Sequence, residues 1–115
     1  MSTVPELVRR LESYCQRKGR NLGRQLGFGV HGSVFVAEDQ IDGRSTAVKA
    51  HEREKFYRRE RKVHSRLKEF SVSYIDGASV PELVGHDDEL WAIEMTIVTR
   101  PFVLVFAGAY LAPTS

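Results

Sequence analysis

At 115 residues, 42% hydrophobic and 28% charged with only 4 prolines, the sequence is one domain's length of ordinary globular composition, neither disordered nor fibrous. One cysteine excludes an internal disulfide, four scattered histidines argue against a zinc site, and no apolar run reaches the roughly 18 residues a membrane span needs. The formal charge is +2, but residues 1–70 carry +7 and residues 71–115 carry −5, a split that marks either a nucleic-acid surface or one long solvated helix.

The chain opens with a predicted helix over 3–18. Thr3 and Glu6 stand at capping-box spacing, Pro5 falls in the first turn and Gly19 stands where a C-terminal cap belongs. Val4, Leu7, Val8, Leu11, Tyr14 and Cys15 make one apolar face, which must dock on the sheet that follows or on a second copy. Cys15 is expected to be buried. A short strand over 21–27, interrupted by Gly23, leads into Gly27-Phe28-Gly29-Val30-His31-Gly32. Next come a strand over 33–38, a turn containing Asp42-Gly43, and a strand over 45–51 that places Ala47 and Lys49 on one face.

Glycines of this kind let backbone N–H groups lie close to phosphate oxygens, and a lysine on the neighbouring strand supplies a point charge for them. A dinucleotide-binding turn would continue into a helix. Here Ser33-Val34-Phe35-Val36-Ala37 continues as a strand, and a plain tight hairpin is the other reading. A predicted helix over 52–70 follows, with Phe56, Val63 and Leu67 on one face and Glu60 among them. A carboxylate on a buried stripe needs a partner, and Lys49 is the simplest one. Polar residues 71–79 connect to strands over 80–86 and 89–95, joined by a turn at Asp87 and Asp88. Residues 102–111 are nearly all apolar yet too short to span a bilayer.

The G-x-G-x-x-G-x-V run followed by Ala47-Val48-Lys49 resembles the nucleotide-binding lobe of the protein kinase fold, in the style of small atypical bacterial kinase-like proteins. The resemblance implies an α+β fold: a twisted antiparallel sheet of about five strands, one helix packed between strands three and four, an N-terminal helix (1–20) and an apolar C-terminal extension (99–115) around a lobe over 21–98. It also implies that Gly27, Gly29, Gly32, Val34, Ala47, Lys49, Glu60 and Met95 hold ATP, with Mg²⁺ arriving only with the nucleotide, and that Lys49 pairs with Glu60. Only 11 positions separate those two, so Glu52 and Glu54 stay open as alternative partners. Residues 95–98 would form the hinge that meets an adenine, and Glu94 either gates the back of that pocket or faces solvent.

The catalytic half is missing from this stretch. Asn21, the one asparagine, precedes every aspartate, so D-x-x-x-x-N cannot occur, and there is no D-F-G. Expected functions are therefore a nucleotide-binding lobe without autonomous phosphotransfer, or a non-catalytic oligomerising or partner-binding domain that keeps only the architecture. Expected partners are a second copy, as a dimer, or a separate catalytic lobe. The expected setting is cytoplasmic, without membrane contact. Nucleic-acid binding by the charged helix ranks last, because no aromatic platform accompanies the charges.

Overall fold

Leu7, Leu11, Tyr14 and Cys15 recur at helical spacing and bury one face of α1 (Val4–Lys18) against a sheet. The computed structural model describes residues 4–29, 32–71, 74–75, 78–97, 105–106 and 109–110. Gly19 ends α1 at φ +70°, a left-handed conformation that glycine adopts without strain. The chain then forms β1 (Arg20–Gly29), β2 (Gly32–Asp39), β3 (Ser45–His51), α2 (Glu54–Glu69), β4 (Tyr74–Ile75), β5 (Ala78–Ser79), β6 (Leu83–Asp87), β7 (Ala92–Met95), β8 (Val105–Phe106) and β9 (Ala109–Tyr110).

Five of these strands make one antiparallel sheet in the order β1-β2-β3-β7-β6; β4-β5 and β8-β9 are separate two-stranded pairs. The fold is the α+β arrangement expected, with α2 inserted between the third and fourth strands of the sheet. β8 lies beside α2. Thr3 of the capping box, residues 30, 31 and 98, the Asp76-Gly77 turn and most of the apolar extension fall outside the described residues.

Two register shifts interrupt the β1–β2 pairing on either side of Gln25, close to the break expected at Gly23. β1 nevertheless continues to Gly29, which pairs with Gly32, so the glycines belong to the strands rather than to a long loop. The later hairpin is shorter than expected: β6 begins at Leu83, β7 at Ala92, and the turn between them extends to Trp91.

Register assigns the faces. Val34 and Val36 lie opposite Lys49 and Ala47, which in turn lie opposite Ile93 and Met95. Phe35, Ala37, Val48, Ala50 and Ala92 point the other way and form the core with α1. The apolar stripe of α1 therefore docks on this sheet. The two helices cover opposite faces, and α2 sits on the face that carries Lys49.

Candidate functional site

Lys49 projects from the middle of β3 toward α2, where its Nζ lies 2.9 Å from Glu60 Oε1. Lys49 is 3% exposed and Glu60 1%. Ions so far from water are retained only with a close counter-charge, since removing one partner of a buried pair costs about 3–5 kcal/mol. Glu60 is thus the carboxylate that Lys49 meets; Glu52 and Glu54 stand in or before the first turn of α2, and Glu54 is engaged by Arg58.

The second oxygen of Glu60 is bonded to His51 Nε2. His51 follows Lys49 by two positions and so shares its face of the sheet. Its other ring nitrogen, Nδ1, lies 3.1 Å from the Trp91 carbonyl oxygen, which also accepts the His51 backbone N–H at 3.0 Å. Trp91 holds that carbonyl in place from φ +52°, an uncommon conformation for a bulky residue. Both His51 nitrogens therefore face oxygen acceptors. Burial works to raise the Glu60 pKa, but the His51 hydrogen bond and the Lys49 charge outweigh it and hold the carboxyl below its usual range. Glu60 is an anion shared by two basic side chains.

The buried stripe of α2 is Tyr57, Glu60 and His64, one position round from the expected Phe56, Val63 and Leu67, which are half-buried. Tyr57 packs edge-on against His51 with ring centroids 5.7 Å apart, and its hydroxyl donates to Asp88. His51, Tyr57 and His64 were not among the expected site residues, because isolated histidines have no ligand spacing to announce them. The available signal was their position: His51 is two residues from Lys49, and His64 is one turn past Glu60.

Gly27, Gly32, Val34, Ala47, Lys49, Glu60 and Met95 do come together on or beside this face; of Gly29 only the backbone pairing with Gly32 is described. The glycines differ in kind. A Cβ on Gly32 would stand 2.3 Å from the Ala50 carbonyl oxygen and 3.2 Å from Lys49 Cε, so close strand approach alone requires glycine there. A Cβ on Gly27 would meet nothing within 4 Å, and its φ is not left-handed. Among the described residues, packing therefore does not require glycine at position 27.

Glu94 corrects both expectations made for it. It pairs with Val48, so it points away from Lys49 and toward α1, and it is 1% exposed. It accepts from Tyr14 Oη at 2.8 Å, Arg20 Nε at 2.6 Å and Thr46 Oγ1 at 2.6 Å. A side chain in that position neither gates a pocket on the Lys49 face nor meets solvent. In the expected hinge, the Thr96 N–H is already committed to the Glu82 carbonyl at 2.9 Å, while Glu82 N–H donates to Thr96 Oγ1.

Among the described residues, no group of three or more His, Cys, Asp or Glu is arranged to hold a metal ion. No described helix is long and apolar enough to cross a membrane. No family model, curated protein or solved structure matches the chain significantly.

Proposed function

We propose that this chain is a kinase-like nucleotide-binding lobe, cytoplasmic in setting, that grips the phosphates of ATP or a related nucleotide without transferring them on its own. The carrying observation is the buried 2.9 Å Lys49–Glu60 pair on the face shared by Val34, Ala47 and Met95, with the Gly32 backbone packed against the lysine stem. Lys49 offers the charge and Glu60 holds it in place. The Gly27 carbonyl accepts from Gln25 Nε2 at 3.4 Å, which leaves its N–H as the group to offer a phosphate, and Ala47 leaves room for a flat ring beside Met95. Bound Mg²⁺ would neutralise phosphate charge, and its protein ligands would have to come from outside the residues described. A second lobe, or a second copy of this chain, is the partner such a half-site calls for.

One observation favours a second reading, a partner-binding or oligomerising domain that keeps only the architecture. The Lys49 side chain is 4% exposed, and strand β8 of the extension lies beside α2. In that reading the cleft is already filled and Lys49 serves the core.

Calorimetric titration with ATP and Mg²⁺ separates the two. The nucleotide reading predicts saturable binding, abolished by Lys49→Ala and weakened by Gly27→Ala, while Gly27→Ala leaves stability unchanged or raised by up to ~1 kcal/mol. Absence of heat at millimolar ATP, or binding indifferent to Lys49→Ala, overturns it in favour of the second reading.

A further inference from the structure

His64 lies one turn past Glu60 on the buried stripe of α2 and is 2% exposed. Among the described residues, neither of its ring nitrogens has a hydrogen-bond partner. A neutral imidazole carries one donor and one acceptor, and native cores ordinarily satisfy both. Each Glu60 oxygen already meets another basic group, Lys49 on one and His51 on the other.

The groups acting on His64 come from two elements: Glu60 on α2, and Lys49 and His51 on β3. From β7 the residue opposite Lys49 is apolar Ile93; beyond β6, Asp88 is engaged by Tyr57 and Arg61. Burial first, and then the Lys49 and His51 charges, hold the ring below its ordinary pKa against the opposing pull of Glu60.

Resting on the phosphate-binding reading, the geometry points to His64 as a proton-coupled member of the anion site: a polyphosphate oxygen entering beside Lys49 gives the ring its missing acceptor, and His64 takes up one proton from solvent to donate to it. No covalent bond changes. The anion also supplies the counter-charge that a buried imidazolium needs, so binding and protonation strengthen each other. Linkage makes the effect reciprocal: the anion favours the proton and the proton favours the anion.

The test is calorimetry with inorganic tripolyphosphate at about pH 6 and about pH 7.5, spanning the histidine range, in buffers of different ionisation enthalpy. Wild-type chain should take up protons on binding beyond those that the probe itself exchanges. Its affinity should exceed that of His64→Gln by roughly threefold or more at the lower pH, the gap closing at the higher. Equal uptake and an equal pH profile in the two proteins would overturn the role of His64 while leaving the phosphate site standing. No binding by wild type at either pH would remove the phosphate site and the proposal with it. If His64→Gln fails to fold, ring-proton NMR of wild type decides: the His64 titration moves to higher pH with saturating tripolyphosphate, and a titration that stays in place overturns the proposal.

Discussion

Two buried glutamates stand on opposite faces of one sheet, and they are solved differently. Glu94, under α1, accepts from Tyr14, Arg20 and Thr46, which ties α1, β1, β3 and β7 together. Glu94 is as buried as Glu60, but its cation, Arg20, is partly exposed and shared with Asp39. Glu60, under α2, is held by Lys49 and His51, both almost wholly buried, with an imidazole one turn away that has no hydrogen-bond partner among the described residues. The first arrangement is a staple. The second concentrates basic groups where few acceptors exist among the described residues.

The largest expected effect that would break this contrast is on stability. Glu60→Gln strands Lys49 and His51 without their anion and should cost about 3–5 kcal/mol in urea unfolding. Glu94→Gln leaves two hydroxyls and a partly solvated guanidinium, and should cost only about 1–3 kcal/mol. Equal losses would erase the distinction between the two faces.

Packing under α1 gives the next test. A Cβ on Gly85 would stand 2.8 Å from Tyr14 Oη, so Gly85→Ala should cost about 1–3 kcal/mol through overpacking. Tyr14→Phe removes the opposing hydroxyl, and in that background the Gly85→Ala penalty should shrink; strict additivity would show that the staple is not where the strain falls.

Acid sensitivity sharpens the comparison further. The folded pKa of His64 lies below its unfolded value, so the unfolded chain binds more protons, and stability is full above about pH 6.5 and lost as pH falls through the lowered folded value. Glu60, also lowered, adds a loss of the same sign once pH drops below about 4.3. Urea midpoints measured against pH should therefore decline first in the histidine window, and His64→Gln should flatten that first decline alone. The smallest effect belongs to the solvated side of α2: Arg58→Ala removes an exposed pair with Glu54 and should leave the urea midpoint nearly unmoved in the same assay.

Much of this architecture is legible in the sequence because periodicity reports burial. Leu7, Leu11 and Tyr14 fix the face of α1, and the alternation through Val34 and Val36 and through Ala47 and Lys49 fixes which residues share the α2 face of the sheet. The Lys49–Glu60 pairing follows from the cost of an unpartnered carboxylate on a buried stripe. What escapes is polar burial. Phe56, Val63 and Leu67 draw the eye, yet the helix buries Tyr57, Glu60 and His64, so a purely apolar reading lands one position off. Glu94 escapes for a related reason: β7 lies between β3 and β6 and has a helix against each face, so simple alternation no longer separates inside from outside.

The most direct test of the nucleotide-binding account is residue-resolved NMR of the chain titrated with ATP and Mg²⁺. Saturable amide shifts should gather at Gly27, Gly32, Lys49 and Met95 and spare Leu11, Tyr14 and Glu94 on the α1 side. Unchanged spectra at millimolar nucleotide, or shifts centred on the α1 side, would contradict it.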